Sequence, residues 1–126
     1  MKLQFAGLAA GLTFLMMSAG AANAAASCGT NSGAAASGEP IVIGAITGKT
    51  GPDDFSNSTK AAKAYFDCLN ANGGINGRPV EYLVEDDQWN PETAAQLAAK
   101  LVDDKKAVLM VGNSSYVECG ANAEAY

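Results

Sequence analysis

The feature that most constrains the fold is an unbroken apolar run at residues 41–47, which is rich in β-branched side chains. A strand with one wet face alternates apolar and polar residues, whereas a strand covered by helices on both faces is apolar throughout. Strand-like runs at 80–85 and 107–111 alternate with helical patterns at 58–72 and 91–103. This alternation predicts an α/β fold with a doubly wound parallel sheet built outward from the first strand.

Cap signals mark the ends of the predicted helices. Ser56 or Ser58 can cap the first helix, and Asn-Gly-Gly at 72–74 ends it. Asn90 followed by proline is a strong start for the second helix. A further helix is expected from Glu118 onward.

Three predicted loops follow the carboxyl ends of the strands, at 48–57, 86–90 and 112–118. Ligands of parallel sheets bind at this end. The Gly-Lys-Thr at 48–50 is not a phosphate loop, because the glycine required five positions earlier is absent and Gly-Pro interrupts the following helix. The glycines here also lack the spacing of a dinucleotide fingerprint.

Composition narrows the classes of function. The chain of 126 residues has a net charge of −5, with 8 basic and 13 acidic residues and no histidine. An acidic chain without a basic stripe argues against nucleic acid as a binding partner. Asp86 and Asp87 are the clustered acids at the ligand end, and no nucleophile–base pair accompanies them. We therefore predict no catalytic residues, no metal and no cofactor.

The start of the chain indicates export. Residues 1–24 combine a lysine, an apolar stretch and a small-x-small cleavage site, which is typical of a signal peptide. The alternative, a membrane anchor, is disfavoured because a span needs about 20 apolar residues. Residues 25–39 are rich in Gly, Ala and Ser and are predicted to form a disordered linker. Cys28 lies in an incomplete lipoprotein processing site, so a lipid anchor there is an alternative to ordinary cleavage after Ala24.

Several motifs resemble one family. They are Ile-Val-Ile-Gly-Ala at 41–45, Thr-Gly-Pro at 50–52, Asn-Ala-Asn-Gly-Gly-Ile-Asn-Gly-Arg at 70–78 and Glu-Asp-Asp at 85–87. They resemble the start of type I periplasmic binding proteins, specifically the branched-chain amino acid (Leu/Ile/Val)-binding components of ABC transporters. The resemblance implies that residues 40–126 form part of an N-terminal lobe with strand order 2-1-3. It also implies a second lobe in a longer protein, which closes on the ligand by hinge motion.

The resemblance also implies site residues. Ser114, Ser115 and Tyr116 match the positions at which the family binds the ligand carboxylate, and amides at a helix N-terminus favour an anion. The alternative is that either serine merely caps the last helix. Phe55 is expected to line the pocket for an aliphatic side chain. Trp89 stands where some members carry a cysteine, and Asp86 and Asp87 either offset an ammonium or cap the second helix.

The expected function is delivery of amino acids to the membrane permease of an ABC transporter, outside the cytoplasm. The alternatives are a ligand-sensing domain of a receptor with the same fold and an α/β enzyme fragment. Cys68 and Cys119 are candidates for a disulfide in an oxidising compartment. Their helices should lie on opposite faces of the sheet, which makes a bond between them awkward, so other partners stay open.

Overall fold

The computed structural model describes Cys28, Gly29 and residues 33–126. The predicted signal peptide at 1–24 lies outside the described residues, as do 25–27 and 30–32 of the predicted linker. Within the described part, none of the helices is long and apolar enough to cross a membrane.

Strands and helices alternate along the chain, as the apolar pattern predicted. The order is β1 (Ile41–Thr47), α1 (Asn57–Ala71), β2 (Val80–Asp86), α2 (Pro91–Ala99), β3 (Leu109–Met110) and α3 (Glu118–Asn122). The strands form a parallel sheet in the order β2-β1-β3. The predicted α/β fold with strand order 2-1-3 is therefore confirmed.

Hydrophobic clusters on both faces of β1 explain its continuous apolar sequence. On one face, Ile43 packs with Phe66 and Leu69 of α1. On the other face, Ile46 packs with Ala98 of α2 and with Leu101, which follows it. Each full burial of such a side chain stabilises the fold by about 1.5–3 kcal/mol, so the central position of β1 is strongly favoured.

β3 is shorter than the predicted 107–111. Its ladder with β1 covers Leu109 and Met110, and hydrogen bonds from Val108 and Val111 extend it by one residue at each side. The regular strand stops because Gly112 adopts φ of 79°, a left-handed conformation that favours glycine. Pairing resumes as a single parallel bridge between Thr47 and Ser114.

The helix ends agree only partly with the predicted caps. Asn90 caps α2 as predicted, its side-chain oxygen accepting from the Thr93 N–H at 2.8 Å. α2 then passes into a π-helical turn, Lys100–Asp104, where a regular helix to residue 103 was predicted. The predicted capping of α1 by Ser56 or Ser58 is wrong. Ser56 makes no side-chain cap bond, and the Ser58 hydroxyl donates instead to the Gly112 carbonyl at 2.9 Å.

A disulfide joins the N-terminal segment to α1. Cys28 pairs with Cys68, with their Cα atoms 6.0 Å apart, and Cys119 is an exposed free thiol. The Ala36 N–H also donates to the Asn70 carbonyl at 2.7 Å, which holds this segment against the end of α1. A sulfur in a disulfide cannot also carry a thioether-linked lipid, so this bond and the lipid anchor are alternative uses of Cys28.

Candidate functional site

The three loops at the carboxyl end of the sheet are tied together by two aspartates. Asp86, the last residue of β2, accepts hydrogen bonds from the N–H groups of Lys49 and Thr50 at 2.9 and 3.1 Å. It also accepts from the Thr50 hydroxyl at 2.7 Å and from the Gln88 N–H at 3.1 Å. This carboxylate therefore fixes the loop after β1 to the loop after β2.

The hydrogen bonds to Asp86 are expected to persist to a lower pH than those of an aspartate with an ordinary pKa. Partial burial raises the pKa of Asp86, but the hydrogen bonds from Thr50, Lys49 and Gln88 outweigh it and lower the pKa below its ordinary 3.8. Because the folded pKa is depressed, these bonds stabilise the fold above the unfolded pKa of about 3.9, and the contribution is lost as pH falls through the folded pKa. A carboxyl NMR titration should give a midpoint below 3.8.

Thr50→Val is the matched variant for this titration. It removes the hydroxyl donor while keeping the backbone N–H, so the midpoint of Asp86 should rise relative to the unmodified protein. An Asp86 midpoint at or above the ordinary value, unchanged by Thr50→Val, would contradict the hydrogen-bond network.

Asp87 links the second loop to the third. Its side chain is fully buried and accepts from the Trp89 N–H at 3.0 Å and from the Ser115 hydroxyl. Its backbone N–H donates to the Thr47 carbonyl at 3.1 Å. The carboxylates of Asp86 and Asp87 are thus engaged in ordering the loops, and neither caps α2, which is the role of Asn90.

The hydroxyl of Ser115 is fully used within the protein. It donates its single hydrogen to Asp87 and accepts from the N–H groups of Val117 at 3.1 Å and Glu118 at 2.9 Å. These bonds place it at the start of α3 in the manner of a helix cap. In this arrangement the Ser115 hydroxyl has no hydrogen left for a ligand.

The Ser114 hydroxyl retains more capacity to bind a ligand than the Ser115 hydroxyl does. Its hydroxyl and that of Thr47 are 2.8 Å apart, and either can be the donor. One hydrogen lies between the two oxygens, so the other hydroxyl hydrogen of the pair is available. The N–H groups of Ser115 and Tyr116 have no acceptor within the described residues. The third loop therefore offers several unused donors close together in sequence, which suits an oxyanion.

An aromatic cluster, formed by Phe55, Trp89 and Tyr116, brings one ring from each loop together. The Trp89 ring stacks on Tyr116 with centroids 5.7 Å apart, and it contacts Phe55 in a tilted arrangement with centroids 5.2 Å apart. The indole N–H donates to the Asp53 carbonyl at 3.1 Å. Phe55 is 41% exposed and Tyr116 is 79% exposed, so the cluster presents an apolar surface to solvent.

Trp89 is a site residue that the sequence analysis did not identify as one. It has a left-handed backbone with φ of 61°, held by the bond to Asp87. A Cβ added at Gly51 would lie 2.6 Å from the indole, so the first loop passes directly over the ring. The available signal in the sequence was the position of Trp89 between a predicted strand and a helix cap, at the ligand end. The sequence could not show that its ring would join Phe55 and Tyr116.

The groups brought together at this site are suited to binding a small molecule. Among the described residues there is no group of three or more His, Cys, Asp or Glu side chains placed to hold a metal ion. The site combines an exposed aromatic surface with hydroxyl and amide donors. Such a combination suits a small molecule that carries an apolar part and an anionic group.

Comparison with known protein families gives a match over most of the chain. Residues 40–126 match the family described as periplasmic binding protein. A curated relative from Pseudomonas aeruginosa, named amino acid binding protein, is 32% identical over 74 residues, covering 54% of this chain and 20% of the relative. A substrate-binding protein of the chemotactic signal transduction system of Halobacterium salinarum is 29% identical over 79 residues, covering 60% of this chain and 19% of the relative.

Solved structures agree with the family match. A periplasmic binding protein type 1 from Bordetella pertussis Tohama I superposes with a TM-score of 0.60 at 31% identity, over 69% of this chain and 24% of that one. An extracellular ligand-binding receptor from Rhodopseudomonas palustris HaA2 superposes with a TM-score of 0.53 at 24% identity, over the same shares, and shows the fold alone. The chain thus spans about a fifth to a quarter of the length of these relatives.

Proposed function

The chain belongs to the periplasmic binding protein family, and from this premise we propose that it forms part of the N-terminal lobe of an amino acid receptor. Membership of this family implies a location outside the cytoplasm. The receptor binds amino acids of the branched-chain type and delivers them to the membrane permease of an ABC transporter. Its second lobe lies in sequence beyond the part described, consistent with relatives of which the matched residues cover only about a fifth to a quarter.

The observation that carries the proposal is the aromatic cluster beside the donors of the third loop. An amino acid presents a carboxylate, an ammonium and a side chain. The unused N–H groups of Ser115 and Tyr116 and the free hydrogen of the Thr47–Ser114 pair suit the carboxylate. The exposed rings suit an apolar side chain.

The ammonium needs a partner from elsewhere. Asp86 and Asp87 lie at this end of the sheet, and hydrogen bonds from the protein already engage both. A carboxylate of the second lobe is therefore the expected partner. This division gives each lobe one charged group of the ligand, so that binding of an amino acid favours closure of the two lobes.

The ligand class is supported by a relative and by the sequence motifs. The relative from Pseudomonas aeruginosa is named amino acid binding protein, which supports amino acids as the ligand class. The branched-chain type rests on the resemblance of the motifs at 41–45 and 70–78.

The double variant Ser114→Ala, Ser115→Ala tests the proposal in the full-length receptor. We expect it to weaken leucine binding by about 1–3 kcal/mol, the usual loss when a charged group loses hydrogen-bond donors. Isothermal titration calorimetry measures this directly. Ser37→Ala, an exposed serine remote from the three loops, is the matched control and should bind as the unmodified receptor does.

The single variants separate direct contact from positioning. Ser114→Ala should lower affinity and reduce stability by about 1 kcal/mol, because the buried Thr47 hydroxyl loses its partner while the backbone pairing of Thr47 remains. Ser115→Ala should lower the melting temperature, because it leaves the buried Asp87 carboxylate without one donor and α3 without its cap. Unchanged leucine affinity in the double variant would leave both serine hydroxyls as structural groups and contradict the proposed contact between the Thr47–Ser114 pair and the ligand carboxylate.

A second candidate function is ligand sensing. It is favoured by one observation, the similarity to a substrate-binding protein of a chemotactic signal transduction system in Halobacterium salinarum. The complete reading frame distinguishes the two: a transmembrane helix followed by a signalling module would indicate a sensor. No observation favours an enzyme, and we propose no catalytic role.

A further inference from the structure

The segment that precedes β1 lies at the end of the sheet opposite the three loops of the proposed amino acid site. Its described residues, Cys28, Gly29 and residues 33–40, are here named the strap. The disulfide joins Cys28, which is only 9% exposed, to Cys68 in the last turn of α1. Gly29 lies against Leu69, since a Cβ added at Gly29 would be 2.5 Å from the Leu69 Cδ1 atom. The strap therefore covers a residue of the hydrophobic core.

Hydrogen bonds attach the other end of the strap to the turn between α1 and β2. The N–H groups of Ser37 and Gly38 both donate to the Gly77 carbonyl, at 3.3 and 3.0 Å. The Arg78 guanidinium donates to the carbonyls of residues 39–40, at 2.8 and 3.0 Å. The strap is thus held at two places, covalently near its start and by hydrogen bonds near its end.

The hydrogen bonds alone are too weak to order the strap. Fixing the backbone of one residue costs about as much free energy as one intramolecular hydrogen bond contributes. Two of the bonds share the Gly77 carbonyl, and residues 33–40 are exposed apart from the half-buried Ala36. Neither bonding nor burial near the end of the strap therefore offsets the cost of ordering the whole segment. The disulfide supplies the missing restraint, because it limits the conformations that a released strap can reach.

We propose that the strap is a redox-controlled element: the disulfide holds it against α1, and reduction by a dithiol releases it and exposes the Cys28 thiol. A thiolate of the dithiol attacks one sulfur of the disulfide, and the S–S bond breaks to give a mixed disulfide. The second thiol of the reductant then displaces the protein sulfur. The reductant leaves as a disulfide, and Cys28 and Cys68 become thiols. Because a thioether-linked lipid needs the Cys28 thiol, the oxidised strap excludes an anchor at this residue.

Amide hydrogen exchange in the full-length receptor, with and without dithiothreitol, tests whether the strap is released. Reduction should speed exchange of the Ala36 and Gly38 amides by about tenfold or more, as for a segment that opens locally. The Ile46 amide in β1, which donates to the Asn113 side chain at 3.1 Å, is the reference and should stay protected. Exchange in the strap that is equally slow with and without reductant would overturn the proposal. Loss of protection at Ile46 as well would also overturn it, because the disulfide would then support the whole lobe.

Thiol labelling gives an independent readout that involves no amino acid ligand. Cys68→Ser removes the disulfide and leaves Cys28 as a thiol, which should react with iodoacetamide within about tenfold of the rate of the exposed Cys119 thiol. In the oxidised, unmodified protein, Cys119 should be labelled and Cys28 should not. Cys119→Ser is the matched control and should leave exchange in the strap unchanged. If Cys28 in Cys68→Ser reacted more slowly than this tenfold limit, the strap would stay in place without its disulfide, which contradicts the proposal.

Discussion

Replacing Asp87 with alanine is expected to lower the free energy of unfolding by about 3 kcal/mol, because two donors lose a buried acceptor at once. The Trp89 N–H and the Ser115 hydroxyl both donate hydrogen bonds to this carboxylate, which is fully buried. Trp89 has a left-handed backbone that this bond holds in place, so the second loop should also lose its order. Urea unfolding followed by circular dichroism measures the change.

Two variants calibrate this result. Asp87→Asn keeps one side-chain oxygen acceptor and should fall between alanine and the unmodified protein. Asp104→Ala removes an exposed acid from the π-helical turn and should change stability by no more than about 0.5 kcal/mol. If Asp87→Ala proved as stable as Asp104→Ala, the network that joins the second and third loops would not contribute to the fold.

Replacing Trp89 with alanine in the full-length receptor is expected to lower leucine affinity by about tenfold to hundredfold, as for a central aromatic residue of a binding surface. The indole is the middle ring of the aromatic cluster, with Phe55 on one side and Tyr116 on the other. Without it the two outer rings lose their shared support, and the first loop loses the surface that Gly51 passes over. Calorimetric titration with leucine measures the loss.

Trp89→Phe is the conservative control for this prediction. It keeps an aromatic ring between Phe55 and Tyr116 and removes only the indole N–H bond to the Asp53 carbonyl, so it should retain most of the affinity. Tyr65→Ala removes another exposed aromatic side chain, on α1 and outside the cluster, and should bind normally. Equal affinity in Trp89→Ala and Tyr65→Ala would show that the cluster does not contact the ligand.

The main features of the fold were predictable because they depend on patterns within single elements. A strand that is apolar on both faces has to be covered twice, and α1 and α2 do cover β1. The Asn90 cap was predictable for the same reason, since the bond spans only three residues. Helices α1 and α3 also lie on opposite faces as expected, with Asn122 of α3 donating to the Ala94 carbonyl of α2 at 3.4 Å.

The details of the site were less predictable because they join residues far apart in sequence. The sequence pointed to Phe55 and to the loop that holds Ser114, Ser115 and Tyr116. The sequence could not show that the Ser115 hydroxyl donates a hydrogen bond to Asp87, because that bond depends on the path of two separate loops. The same holds for the ring contacts of Trp89, whose backbone conformation is uncommon for a bulky residue.

The disulfide between Cys28 and Cys68 has a consequence for when the chain becomes stable. It closes a loop with a sequence separation of 40, and the loss of freedom in the unfolded chain corresponds to about 4 kcal/mol in the loop-entropy account. The bond does not form in a reducing cytoplasm. Before translocation the chain therefore lacks this contribution and is easier to keep unfolded for passage through the membrane. Once the chain has crossed the membrane, oxidation of the two cysteines adds this contribution and makes the folded lobe harder to unfold.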